Sequence, residues 1–413
     1  MTLRITVHRA TDQIGGNCIE ICSSDGRRIV LDVGRPLDAL KEAKGLLPKT
    51  LDLEYPVDGV LISHPHQDHY GLLDEIPPHW PVYSGRWAGQ LMHLTASIFG
   101  APPVLDYRHW ESGKPIDIGV FRVTPLLTDH SAFDAYMLLI EAEGKRILYS
   151  GDFRSHGRKA VLVDRLMQSP PSDIDVLLME GTNLGSNKPT ASESDLEEDF
   201  VTLFKETLGR VFVCWSAQNI DRTVTLYRSC LKSGRTLAVD LYTAEVLDLL
   251  ADAGQLPRAG WKNLKIVITK RFADLYRRKG QDGFVAKMAA HGISAAQLAS
   301  DAGKWVIMIR PSLIHDLSNK GVTPNGEDAW CYSQWRGYLE QPEGIALKAW
   351  FDEGGSKAAH IHTSGHASVA DLKAFAAEMN PRMLVPIHGI AWDSDNEGFA
   401  NVVRLRDGEP MNI

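Results

Sequence analysis

Cysteine is scarce: the 413 residues carry five, Cys18, Cys22, Cys214, Cys230 and Cys331, and no two form a C-x-x-C pair. An odd, scattered set excludes a disulfide framework and reads as buried thiols in a reducing cytosol, so a cytoplasmic protein is expected. Long apolar runs are also missing. No stretch reaches the length of about 18 residues that a membrane span needs, and residues 3–7 read as a strand, with no apolar core of a signal peptide before it. Positive charge is in deficit, the net charge being −8. A nucleic-acid binder usually carries a basic footprint, so any such surface here must be local. Internal repeats and low-complexity tracts are absent. What the chain does have is a 44% hydrophobic composition and enough length for two domains, or for one with a large insertion.

The chemistry is concentrated in one stretch. His64, His66, Asp68 and His69 place three imidazoles and one carboxylate within six positions. Residues 58–62 before them form an apolar, β-branched run that reads as a buried strand. The cluster therefore sits where a strand ends and the backbone turns, on a rigid base. His and Asp suit zinc. His64 and His66, two apart in extended chain, point to one side. Asp68 and His69 turn elsewhere, so one loop can serve two metals.

The rest of the chain repeats this arrangement. Residues 28–34 form a strand ending in Asp32, placed to orient the histidine loop through a hydrogen bond. Asp25-Gly26 signals a hairpin before it. Strands are expected at 121–126, 135–140, 145–149 and 175–179. His130 follows the first, Asp152 the third and Glu180 the fourth. Residues 86–99 have helical spacing. After about residue 183 the pattern changes to helices (192–208, 219–232, 244–253) alternating with strands (211–214, 236–239, 265–269, 304–309), which predicts a parallel α/β unit. From about 346 the earlier style resumes. A strand is expected at 359–362, a helix begins at Ser368 with a capping-box pattern, and a strand at 383–387 ends in His388. The expected organisation is a first domain over 1–183, an inserted domain over 184–345, and a completing segment over 346–413.

The H-x-H-x-D-H loop resembles the metallo-β-lactamase superfamily. Asp129-His130-Ser131, Ser150-Gly151-Asp152, Glu180-Gly181-Thr182-Asn183, Asn219-Ile220-Asp221-Arg222, the run from His362 to Ser368 and Pro386-Ile387-His388-Gly389 make the resemblance more specific. They are similar to the β-CASP nuclease branch and, within it, to the ribonuclease J family. The resemblance implies an α/β fold: an αββα sandwich of the metallo-β-lactamase type with an inserted parallel α/β β-CASP domain. It implies one zinc held by His64, His66 and His130, a second held by Asp68, His69 and His388, and Asp152 bridging them. Manganese is the alternative to zinc. Glu180 matches the first motif of the insertion, His366 the second, over the scissile phosphate, and His388 the third. The sequence departs from the family in three places. It ends at Ile413, without the family's further C-terminal domain, so monomer and homodimer both stand open. Ala217-Gln218-Asn219 stands where relatives tend to have Ser-Ser-Asn or Ala-Ser-Asn. Glu180 stands where Asp is usual.

The chemistry is coherent apart from family. Two cations about 3.5–4 Å apart lower the pKa of a shared water and clamp a phosphate. Asp68 and Asp152 would take part in catalysis, with His366 as proton donor. Substrate contacts are expected from His362, Ser364, Gly365, His366 and Ala367, with Glu180, Arg222 and Arg154. Gly365 would let the backbone approach a phosphate at the helix start, and the family resemblance ties such a pocket to a 5′-terminal phosphate. Trp215, Phe153 and Tyr70 are the aromatics considered for base stacking. The expected activity is a zinc-dependent ribonuclease on single-stranded RNA. The alternatives are a nuclease on DNA, a hydrolase of a small phosphodiester or thioester, and a catalytically silent RNA-binding protein.

Overall fold

Strand Tyr136–Ala142 shows how the chain layers itself. Its side chains alternate between two faces. Tyr136, Leu138, Ile140 and Ala142 enter one apolar cluster, and Met137 and Leu139 enter another. Both faces are covered, which is why the strand reads as one continuous apolar run rather than an alternating one. The structure, a computed structural model, describes residues 2–40, 42–100, 107–186 and 190–413. The chain divides into two compact units, Met1–Pro189 with Gly365–Ile413, and Thr190–Ser364.

The first unit holds a seven-stranded and a six-stranded sheet. Their facing sides share a core that includes Ile5, Val7, Ile19, Leu31, Phe121, Val123, Ile147 and Val176. Helix Val369–Met379 covers the outer face of the six-stranded sheet through Leu372, Phe375 and Met379. The outer face of the other sheet is covered by Tyr70, Leu73, Trp80 and Met92. Layering is therefore helix, sheet, sheet, helix. In the six-stranded sheet, Lys145–Tyr149, Val176–Met179 and Met383–Pro386 run parallel as neighbours. Their carboxyl ends consequently lie side by side, although the third comes from the far end of the chain.

The second unit is built on a six-stranded sheet in which every pairing is parallel. Helix Glu193–Glu206 opens it, with Ser192 and Asp195 forming a capping box. The sequence-read boundary at residue 345 falls inside helix Pro342–Gly354. That helix and strand Lys357–Ala359 belong to this unit, because the strand completes its sheet against Ala329–Tyr332. The strand expected at 359–362 lies earlier for the same reason: its last pair is Cys331 with Ala359, which leaves His360 and His362 beyond the sheet. No helix among the described residues is long and apolar enough to cross a membrane.

Candidate metal centre

Strand Gly59–Leu61 delivers Ser63 and His64 to the carboxyl edge of its sheet. A single helical turn, Gln67–Tyr70, then reverses the backbone. The turn is pinned because Gly16 N–H and Asn17 N–H both donate to the Asp68 carbonyl, at 3.0 and 3.1 Å. Gly34 makes room for this: a Cβ there would stand 1.7 Å from that carbonyl oxygen. His64 and His66 thus face one way, Asp68 and His69 another.

Three groups of ligand-type atoms result, each lying within 4.8 Å of one another: His64, His66 and His130; Asp68, His69, Asp152 and His388; and Asp152, Glu180 and His366. In the first, His130 Nδ1 donates to the Gly365 carbonyl at 2.6 Å, which leaves Nε2 as the lone-pair nitrogen of a neutral ring. Burial pushes His64 and His130 well below the usual imidazole range and His66 down to about 4. Neutral imidazole is the form that ligates metal.

In the second group Asp152 Oδ2 lies 3.1 Å from His69 Nε2, 3.6 Å from His64 Nε2 and 3.7 Å from His388 Nε2. Burial opposes a charge on Asp152, but the imidazoles of His388, His69 and His366 outweigh it and hold the carboxyl well below its usual range. His69 Nδ1 is 2.7 Å from Asp32 Oδ2. The same carboxylate accepts from Ser63 N–H at 2.7 Å and Tyr149 O–H at 2.6 Å. His388 Nδ1 meets Asn17 Oδ1 at 2.7 Å. Each of these rings therefore has its Nδ1 engaged and its Nε2 turned toward the carboxylates. Asp32 and His388 both sit in the left-handed backbone region, with φ of 55° and 49°. Such positions cost of order 1–3 kcal/mol and persist where the surroundings hold them.

The fit to metal rests on the polar atoms left over. His64 Nε2, His69 Nε2, His388 Nε2 and Asp152 Oδ1 are buried side-chain atoms without a hydrogen-bond partner. A buried polar atom without a partner is costly. Four such atoms of metal-ligand type, spread over two adjoining groups around the Asp152 carboxylate, fit divalent cations.

In the third group His366 Nδ1 lies 2.9 Å from Glu180 Oε2 and 3.7 Å from Asp152 Oδ2. Glu180 is itself fixed, since Oε1 accepts from Phe153 N–H at 3.0 Å. Burial opposes a charge on His366, but Glu180 and then Asp152 outweigh it and push the imidazole up to about 9.

Several residues read as substrate contacts are turned inward. Arg154 is fully buried, its Nε 3.6 Å from Asp129 Oδ1. Arg222 is fully buried as well, with Nη2 3.0 Å from Glu193 Oε1 and Nη1 donating to the Ser333 carbonyl at 3.1 Å. Each guanidinium finds a buried carboxylate, which a charge-based reading takes for a surface. Glu180 is buried and holds His366. Ala367 lies in the core beside Leu372 and Phe375. At Gly365 a Cβ would come within 2.4 Å of Ser131 Oγ, so the glycine serves the His130 contact. The helix after this loop is capped by its own residues: Ser368 Oγ accepts from Asp371 N–H. In the second unit, His362 is half-buried and pushed down to about 3 by burial, then by Arg222 and His360, and Ser364 is that unit's last residue. Asn17, Ser63 and Tyr149 went unread in the sequence. Their signal was faint: Tyr149 ends a strand, Ser63 lies two residues past the end of one, and Asn17 follows a Gly-Gly turn.

The chain matches the family model described as the metallo-β-lactamase superfamily over residues 11–183. It also matches the one described as a Zn-dependent metallo-hydrolase RNA specificity domain over residues 356–391. Ribonuclease J of Helicobacter pylori (strain B128) is 26% identical over 409 residues, covering 94% of this chain and 56% of that protein. Ribonuclease J of Sinorhizobium meliloti is 22% identical over 369 residues, covering 86% of this chain and 63% of that protein. An RNase J-like protein of Methanocaldococcus jannaschii is 26% identical over 282 residues, covering 63% and 62%. The chain spans 56% of the length of the first of these. A crystal structure of a protein of unknown function from Enterococcus faecalis V583 superposes with a TM-score of 0.79 at 20% identity, covering all of both chains, and shares the fold.

Proposed function

We propose that this chain, which belongs to the metallo-β-lactamase superfamily, is a metal-dependent ribonuclease that hydrolyses phosphodiester bonds of single-stranded RNA. The observation that carries the reading is the position of Asp152. One carboxylate oxygen stands within 3.7 Å of ring nitrogens from both histidine groups, which suits a ligand shared between two cations. Two divalent cations in such a centre, zinc before manganese, activate water and neutralise charge on a phosphoryl group. His64, His66 and His130 would hold one. Asp68, His69 and His388 would hold the other, with Asp152 common to both.

The chain's own residues supply orientation and protons. Asp32 and Asn17 fix the rings of His69 and His388 through Nδ1, so each presents Nε2 to the centre. Asp68 has a side chain 15% exposed, whereas those of His69 and His388 are fully buried. It is therefore placed to take a proton from an attacking water. Glu180 beside Nδ1 of His366 favours the protonated imidazole. The ring stands beside Asp152, where it can give a proton to the leaving oxygen. The RNA assignment is supported by the description of the model matched at residues 356–391 and by the names of the relatives.

The test compares single-stranded RNA, single-stranded DNA of the same sequence and a small chromogenic phosphodiester. Protein carrying two metal equivalents should cut the RNA fastest. Preferential turnover of the DNA or of the small diester would replace the substrate class and leave the metal centre in place.

A further inference from the structure

The aromatics first considered for stacking offer no face to a ligand. Trp215, Phe153 and Tyr70 are 2%, 0% and 8% exposed. Trp215 donates from Nε1 to Thr223 Oγ1 at 2.9 Å, and Phe153 packs on Phe375. Among the exposed rings, two stand close together in a stretch that carries none of the sequence motifs. Trp335 is 61% and Tyr338 48% exposed. They stand edge to face, with centroids 5.3 Å apart and planes at 88°.

The Trp335 ring is seated by the backbone beneath it. A Cβ on Gly337 would lie 2.1 Å from Cη2 and 2.2 Å from Cζ3 of the indole, so only glycine at 337 lets the ring rest there. Gly337 is not among the glycines with positive φ, hence the glycine serves this close approach and not a special backbone conformation. The segment is anchored on the sheet behind it. Ser333 N–H donates to the Cys214 carbonyl at 2.9 Å, and Gln334 Nε2 donates to Cys214 Sγ at 3.2 Å. Gln334 O accepts from His360 Nε2 at 3.2 Å. The result is a fixed indole with one side on backbone, following directly on strand Ala329–Tyr332. That is the carboxyl edge of an all-parallel sheet, the side on which open α/β sheets place ligands.

We propose that Trp335, seated on Gly337 and braced by Tyr338, is a stacking platform for one base of a single-stranded nucleic acid. This rests on the reading that the substrate is RNA. The area decides between a base and a protein partner. Two such side chains bury about 150–250 Å² each at most, well short of the roughly 800 Å² per partner of a stable protein interface. One base needs one ring face. Charge does not recommend the site, because exposed Arg336 is followed by exposed Glu340 and Glu343. Stacking does, and it works for every base.

The test is binding by metal-loaded protein to a labelled phosphorothioate RNA of about ten nucleotides, within the usual span of single-strand sites, and to DNA of the same sequence. The linkage slows hydrolysis, and fluorescence anisotropy reads the affinity. Trp335→Ala should weaken binding roughly 5- to 150-fold, the range for losing one stacked base. Trp335→Phe should keep most of the affinity. Gly337→Ala, which leaves the indole in the chain but unseats it, should lose affinity as Trp335→Ala does. Abasic substitutions moved along the oligonucleotide should find one position that weakens wild-type binding and has no effect on Trp335→Ala. Equal affinity of wild type and Trp335→Ala overturns the platform, and so does a loss that every abasic position still adds to. Wild type binding neither oligonucleotide overturns it too. RNA cleavage with no Trp335 effect removes the platform and keeps the ribonuclease. A Trp335 effect without cleavage does the reverse.

Discussion

Glu180 Oε2 lies 2.9 Å from Nδ1 of His366, and both side chains come from loops that follow or precede regular elements of the first unit. The pair joins residues 186 positions apart. It gives Glu180 a role other than the substrate contact expected from sequence. A carboxylate so placed favours the protonated form of His366 and fixes which nitrogen it presents.

Glu180→Gln preserves the size and an acceptor oxygen but removes the charge. RNA turnover should fall about 10²- to 10⁴-fold, the usual worth of a positioned proton donor, while metal content and RNA affinity stay near wild type. Steady-state kinetics beside metal analysis check this. A variant with full turnover would take His366 out of proton transfer.

The candidate ligands could be picked out because each follows an apolar run that reads as a buried strand, and the structure brings their side chains together. His64, His130, Asp152 and His388 were found this way. Of the partners that orient them, Asp32 was read at its strand end and is found on His69 Nδ1, whereas Asn17 was not read. Asn17 and His388 are 371 positions apart, and nothing local in either marks the contact. Arg154 and Arg222 failed for a related reason. A charged residue reads as a solvated one until its buried carboxylate is known, and Glu193 lies 29 positions from Arg222. Trp335 shows the opposite error: three aromatics chosen by type were core, and an exposed ring was passed over.

Asp32 should set metal affinity without touching metal. Its carboxylate holds His69 Nδ1, Ser63 and Tyr149 together. Asp32→Asn puts an amide donor where donors already point, so zinc affinity should fall about 10- to 100-fold. Competition with a chromophoric chelator measures it. Unchanged affinity would mean that His69 does not depend on Asp32 for its orientation.

Arg222 should matter to stability and not to metal. It is buried against Glu193, which also accepts from Thr225 Oγ1 at 2.6 Å. Arg222→Ala leaves that carboxylate without its cation, a loss of about 3–5 kcal/mol. The denaturation midpoint of the second unit should drop while two metal equivalents are still bound. Wild-type stability with weakened RNA binding would return Arg222 to the substrate.

Asp152 should be indispensable to the reaction and dispensable to the fold. Its contacts with His69, His64 and His388 are the ones a metal pair would replace. Asp152→Ala should show an unchanged circular dichroism spectrum, fewer than two bound metals and no measurable RNA turnover. Near-normal turnover would contradict a carboxylate shared between two cations.

The most direct measurement is a titration of metal-stripped protein with zinc, and in parallel with manganese, following turnover of end-labelled single-stranded RNA. The account predicts no turnover without metal, and a rise that levels off at two equivalents per chain. Turnover by the stripped protein, or a plateau reached at one equivalent, would contradict it.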